Sequence, residues 1–197
     1  MIKKKQNSLF TAPNILSLLR ILLIPVFILL LVHNKKLAAF CVFLFAALTD
    51  IMDGVAARIW HQQTTLGTYL DPAADKLLMA STFIALSIPQ LGTPNTLPLW
   101  LVLVVIIRDV YIVSGALTFI KLTGQTTVKP SLPGKACTVM EMGLLVLVLL
   151  CNTLDKSPVF LQVVYIIALA IVLGSAAHYT YTGIKDFVRW KKTSAGV

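Results

Sequence analysis

Six runs of about 20 mostly apolar residues follow one another along this chain, and a helix needs about that many to cross the hydrocarbon core of a bilayer. The runs fall at residues 14–33, 37–60, 69–89, 97–120, 135–153 and 158–184. Breakers or polar residues separate them: His33-Asn34-Lys35-Lys36, Gln62 to Gly67, Pro89 to Pro98, Gly124 to Gly134, and Asn152 to Ser157. Pro25 lies inside the first run and is expected to kink it. Composition agrees: 57% of residues are hydrophobic, 13% are charged and the mean hydropathy is +0.86. Such a chain cannot cover its apolar surface in water. The expectation is an all-α, polytopic membrane protein with six transmembrane helices, organised as one domain over residues 1–197.

Lys3, Lys4 and Lys5 precede the first apolar run in the manner of a signal peptide. The run is too long for a signal core, and no small-residue cleavage site follows, so it reads as the first membrane helix. The net charge of +9 raises nucleic acid as a partner. The bases, however, sit at the ends of apolar runs, where they meet anionic lipid headgroups, so no nucleic-acid binding is expected. Six spans put both termini on one side. That side carries Lys3, Lys4, Lys5, Arg58, Lys121, Lys129, Lys135, Lys185, Arg189, Lys191 and Lys192. The other carries Lys35, Lys36 and Lys156. The bias places both termini in the cytoplasm. Cys41, Cys137 and Cys151 are isolated in apolar runs, which argues against a disulfide framework.

Asp50, Asp53, Asp71 and Asp75 lie within or at the ends of apolar runs. An ionised carboxylate in a membrane helix costs about 2.5–3.5 kcal/mol on insertion scales. Lys76 and Arg58 are near, but two cations cannot neutralise four anions; protonated, neutral aspartates are the other structural explanation. Asp50 and Asp53 are three apart and share a helix face, and Asp71 and Asp75, four apart, share another. The short Gln62-to-Gly67 turn folds the two helices antiparallel, so all four can converge at their cytoplasmic ends. Hard oxygen ligands in that number suit two Mg2+ or Mn2+ ions. Zinc is not indicated: His33, His61 and His178 are far apart and no Cys stands at ligand spacing. Two metals beside lipid suggest phosphoryl chemistry. Gly54 and Ala57 permit close approach of a ligand or of another helix. Arg58 offers either a phosphate-binding fork or an anchor at the membrane surface.

Together these residues spell D-x2-D-G-x2-A-R-x8-G-x3-D-x3-D from Asp50 to Asp75. This string resembles the signature of the CDP-alcohol phosphatidyltransferases at every fixed position and every gap. The resemblance implies that Asp50, Asp53, Asp71 and Asp75 ligate two divalent cations, with Asp75 also serving as general base. It implies that Gly54, Ala57, Arg58 and Gly67 hold the CDP part of a CDP-diacylglycerol donor whose tails lie between helices. The acceptor hydroxyl would attack the lipid-side phosphorus and CMP would leave.

Two further stretches bear on the acceptor. Pro13-Asn14-Ile15-Leu16-Ser17-Leu18-Leu19-Arg20 resembles the start of the bacterial phosphatidylglycerophosphate synthases, with Ser17 where Thr is usual. Arg20 then faces a polar cavity or snorkels to the surface. Arg108-Asp109-Val110, with Lys129-Pro130 and Lys135, resembles instead the cardiolipin synthases of the same superfamily. Arg108 could simply pair with Asp109, and Lys135 could be an ordinary cytoplasmic-side base. Asn14, Ser17, Arg20, Arg108 and Lys135 are the candidate acceptor-binding residues. The charge count leans toward glycerol 3-phosphate, a dianion, as acceptor; phosphatidylglycerol, giving cardiolipin, is the alternative. An ion transporter with an acidic intramembrane site is the rival of another class, although the acids gather at one membrane face instead of lining a pathway. The resemblance implies the bacterial inner membrane, with the site facing the cytoplasm. Gly174-Ser175-Ala176-Ala177 could serve a homodimer contact.

Overall fold

The computed structural model describes residues 12–60, 67–91, 93–123 and 132–194, with residues 12–14, 50–60, 67–72, 189 and 193–194 described by backbone alone. The described residues are helical with no strand: α1 (Ala12–Val32), α2 (Lys36–Trp60), α3 (Gly67–Leu86), α4 (Leu99–Thr123), α5 (Leu132–Thr153) and α6 (Phe160–Ser194), plus a 3-10 turn at Pro89–Leu91. Each helix lies on one of the apolar runs. The last continues to Ser194 because nothing after Gly183 breaks it. Pro25 lies inside α1.

Among the described residues, four helices are long and apolar enough to cross a membrane: α1, α4, α5 and α6. Within the fully described part of α2 the apolar stretch is Lys36–Thr49. The remainder of α2 carries Asp50, Asp53 and Arg58, and α3 carries Asp71, Asp75 and Lys76. The surface is inverted relative to a water-soluble protein. Ile15, Leu18, Leu22 and Leu29 of α1, and Ile107, Val110 and Leu117 of α4, are among the large apolar side chains left exposed. In a bilayer these faces meet lipid.

The chain gathers into two compact units. The first holds residues 1–97 and 145–157. In it α1 packs against both α2 and α3. The buried stripe of α2 is Ala39, Phe43 and Ala46, where two small residues flank a ring. Phe43 meets Phe27 of α1 with ring centroids 6.0 Å apart. Leu78, Thr82, Ala85 and Leu86 form the matching stripe of α3, and Leu145, Val148, Leu149 and Asn152 that of the end of α5. These are the i, i+3/i+4, i+7 positions of one helix face.

Three connections meet at one end of this unit. Helices α1 and α5 both stop in left-handed caps, at Asn34 (φ 55°) and Asp155 (φ 50°). The Lys35 amide donates to Leu30 O at 2.9 Å and the Lys156 amide to Cys151 O at 3.0 Å, the 6→1 bond of a Schellman motif. Lys36 Nζ donates to Asp155 Oδ1 at 2.5 Å. From the segment between α3 and α4, the Asn95 amide and Asn95 Nδ2 donate to Asn152 Oδ1 at 2.8 and 2.9 Å, and Asn152 Nδ2 donates to Asn95 O at 3.1 Å. Asn95 Nδ2 also donates to Lys156 O. One buried asparagine thus satisfies both backbone groups of another, so the α1–α2, α3–α4 and α5–α6 connections sit at the same end.

The second unit holds residues 98–144 and 158–197. Helices α4 and α6 pack through Leu101, Val105 and Arg108 on one side and Leu161, Tyr165, Ala168, Val172 and Ser175 on the other. Further along, Tyr179 Oη donates to Ile112 O at 3.0 Å, and Tyr111 and Thr180 hydroxyls bond at 2.9 Å. A Cβ added at Gly115 would stand 3.3 Å from Tyr179 Cε1, so glycine sets the closeness of the two helices there. Ser175 points inward, whereas Gly174 and Ala177 are exposed. Hydroxyls along the helices, such as Thr82 to Leu78 O and Thr118 to Ser114 O, are satisfied by their own backbone.

Asn152→Ala is expected to leave Asn95 with buried, unsatisfied backbone groups, costing about 1–3 kcal/mol. The melting midpoint in detergent should fall by about 3–8 °C. Thermal denaturation followed by circular dichroism checks this.

Candidate active site

The signature run divides between two helices. Positions 50, 53, 54, 57 and 58 fall in the last half of α2, and positions 67, 71 and 75 in the first half of α3. The side chains of Asp50, Asp53, Ala57, Arg58 and Asp71, and the surroundings of Gly54 and Gly67, lie outside the described residues. Asp75 is the member of the run whose side chain is described. It is partly exposed, and its Oδ1 accepts a hydrogen bond from Nη1 of Arg20 in a salt bridge between α3 and α1.

Arg20 is fully buried, as is Ser17 one turn before it. Both lie on the inward stripe of α1 that continues to Phe27 and Leu31. Arg20 therefore points into the helix packing and does not snorkel to the surface. Arg20 stands eight residues into α1 and Asp75 eight residues into α3, each about 12 Å from its helix start. The two helices run in the same direction, and equal depth is what lets the charges meet. A buried arginine costs several kcal/mol unless paired. Asn14 occupies the first turn of α1, with its side chain outside the described residues.

The chemistry of the donor set fits hard divalent cations. It consists of carboxylates alone, spaced to share helix faces, on two helices that both pack on α1. Among the described residues no group of three His, Cys, Asp or Glu side chains forms a metal site; three of the four aspartates lie outside that set.

A second charged cluster occupies the other unit. Arg108 is buried; its Nη2 donates to Ser175 Oγ at 2.5 Å, and its Nη1 donates to Asp109 Oδ1 at 2.8 Å. Glu141 of α5 is fully buried, with Oε1 3.9 Å from the same Nη1. The Cys137 thiol, one turn earlier, donates to Glu141 Oε1 at 3.3 Å. Pairing of Arg108 with Asp109 is one of the two roles the sequence leaves open for Arg108; the part of Glu141 is not among them. Its signal was present, since a carboxylate inside Cys-Thr-Val-Met-Glu-Met-Gly-Leu breaks an apolar run just as the aspartates do. Lys135 is exposed in the first turn of α5, and Lys129-Pro130 lies outside the described residues. A cavity lined by Asn34 to Ala38, Thr153 and Asp155 lies where the connections meet and touches none of these groups.

An all-helical membrane protein with arginine–carboxylate pairs inside its helices defines the class. The sequence model of the CDP-alcohol phosphatidyltransferases matches residues 10–180, and the chain belongs to that family, whose members use divalent cations. Among its relatives is a protein of Aquifex aeolicus named CDP-diacylglycerol–glycerol-3-phosphate 3-phosphatidyltransferase, 31% identical over 88% of this chain and 96% of its own length. A Pseudomonas fluorescens protein of the same name is 42% identical over 64% of this chain and 61% of its own. A Drosophila melanogaster protein named probable cardiolipin synthase (CMP-forming) is 36% identical over 58% of this chain. The match spans 34% of the Drosophila relative's length and 18% of that of a fission-yeast fusion protein also named for cardiolipin synthesis.

The Arg20–Asp75 pair is expected to show strong coupling. Arg20→Met alone should destabilise by about 1–3 kcal/mol, because the partly exposed Asp75 loses its charged partner. Arg20→Met with Asp75→Asn should be less destabilised than the sum of the single changes, by about 1–3 kcal/mol. Unfolding midpoints of the four proteins in one detergent measure it.

Proposed function

We propose that this protein transfers a phosphatidyl group from CDP-diacylglycerol to a glycerol-type alcohol with release of CMP. The acceptor read first is glycerol 3-phosphate, giving phosphatidylglycerophosphate, and the site faces the cytoplasm across a bacterial inner membrane. One observation carries the reading: the family match spans both compact units and includes the complete Asp50-to-Asp75 run, on two helices packed against the helix that bears Arg20. That span also supports a single domain.

In this reading Asp50, Asp53, Asp71 and Asp75 hold two divalent cations, Mg2+ or Mn2+, which when bound stabilise charge on the phosphoryl oxygens. Gly54, Ala57 and Gly67 leave room for the CDP moiety, and Arg58 offers its fork to the diphosphate. Asp75 takes the proton of the acceptor hydroxyl. The hydroxyl oxygen bonds to the lipid-side phosphorus, the bond from that phosphorus to the bridging oxygen breaks, and CMP carries the oxygen away. Arg20, through its salt bridge, orients the Asp75 carboxylate. Arg108 and Lys135, with Ser17 and Asn14, serve the acceptor.

A second reading makes phosphatidylglycerol the acceptor and cardiolipin the product. It is favoured by the engagement of the cations counted for a dianion: Arg20 faces Asp75, and Arg108 faces Asp109 and Glu141. A phosphodiester, with one charge, asks for less.

The reading also carries six spans. Helices α2 and α3, of 25 and 20 residues, are about 37 and 30 Å long, enough to leave the shared end of the first unit and return. The connections at that end would be external, and both termini cytoplasmic.

In a background lacking the native cysteines, Ser157→Cys should react with an impermeant thiol reagent added outside intact cells, and Lys192→Cys should not. The reverse pattern overturns the orientation. Purified protein should release CMP from CDP-diacylglycerol and acceptor, lose that activity in EDTA, and regain it with Mg2+ or Mn2+. Asp75→Asn should lose at least a hundredfold in turnover while still binding donor. Full activity in chelator, or turnover by Asp75→Asn near the wild-type rate, removes the assigned roles. A chain that moves ions and releases no CMP is a transporter instead.

A further inference from the structure

We propose that Glu141 is a positioning and specificity residue that fits the acceptor site to a singly charged phosphodiester as readily as to a doubly charged phosphomonoester. The proposal rests on the phosphatidyl-transfer reading and on Arg108 as an acceptor residue within it.

The geometry has three parts. First, Arg108 is clamped, with Nη2 on Ser175 of α6 at 2.5 Å and Nη1 on Asp109 of its own helix at 2.8 Å. Its Nε, also buried, has no hydrogen-bond acceptor among the described residues. A buried guanidinium nitrogen left without an acceptor suits a ligand oxygen. Second, Glu141 reaches the same Nη1 from the third helix, at 3.9 Å and with no solvent exposure. At that distance, out of water, its carboxylate cancels much of the field Arg108 would present to an anion. Third, Glu141 is itself fixed from behind, because the Cys137 thiol donates to Oε1 at 3.3 Å. The charge around Arg108 is therefore set by a side chain that the packing holds in place.

The chemical consequence follows from the acceptor. Glycerol 3-phosphate carries a phosphomonoester that is mostly dianionic at neutral pH, whereas a glycerophosphodiester carries one charge. An arginine with its full field prefers the dianion. An arginine flanked by two carboxylates prefers it much less, so this site tolerates the diester. Neutralising Glu141 raises the positive potential at Arg108 whatever else surrounds it, and Gln does so at nearly constant shape.

The test uses the full-length purified protein in detergent with CDP-diacylglycerol and Mn2+, following CMP release. The two acceptors are sn-glycerol 3-phosphate and its methyl phosphodiester. Wild-type protein should use them with KM values less than fivefold apart. Glu141→Gln should lower KM for glycerol 3-phosphate at least fivefold, leave KM for the diester and for the donor within twofold, and change kcat little. Glu141→Asp, which keeps the charge, should retain the wild-type ratio. A wild-type preference for the monoester of fivefold or more overturns the proposal, as does a Glu141→Gln protein with unchanged acceptor KM. If the Gln variant does not fold, the wild-type ratio decides alone. A wild-type protein that transfers to neither acceptor, nor to phosphatidylglycerol, overturns the phosphatidyl-transfer reading and this proposal with it.

Discussion

A charge taken out of water must meet an opposite charge, and in this protein that requirement decides which helices lie together. Arg20 is fully buried and can remain so because Asp75 comes to it at equal depth along a parallel helix. Arg108 is buried because three helices bring it Asp109, Glu141 and Ser175. In lipid, apolar contact between helices gains little over contact with the chains of the bilayer, so polar pairs and close packing of small residues carry the specificity. The Asn95–Asn152 reciprocal bonds do the same work where three connections meet.

The same requirement links structure to chemistry. Phosphoryl transfer needs concentrated positive charge near the phosphates and a carboxylate able to take a proton, both placed where lipid can arrive sideways. A chain that only had to fold in a membrane would avoid the cost. This one carries carboxylates in α2, α3, α4 and α5, and the described Asp75, Asp109 and Glu141 each lie beside a buried arginine.

Much of this was legible in the sequence because the constraint acts locally. Apolar runs of spanning length gave all six helices, and the Asp50-to-Asp75 spacing gave the family. Other features were hidden for physical reasons. The salt bridge of Arg20 with Asp75 joins residues 55 positions apart, and periodicity within either helix names no partner in the other. Arg108 to Ser175 is a span of 67. Glu141, like the aspartates, is a carboxylate inside an apolar run, but it stands outside the Asp50-to-Asp75 signature, and its contact with Arg108 spans 33 positions. The extension of α6 to Ser194 follows from the absence of any breaker and was not expected from hydropathy, which fades before the helix ends.

The most direct test of the account asks which phosphorus is attacked. CDP-diacylglycerol labelled only on the lipid-side phosphate should be given to the reconstituted protein with glycerol 3-phosphate or phosphatidylglycerol. The account predicts that all transferred label enters a new phospholipid while unlabelled CMP appears in equal amount. Label released with the nucleotide, or as free phosphate, would contradict phosphatidyl transfer and the assignment of the intramembrane aspartates to it.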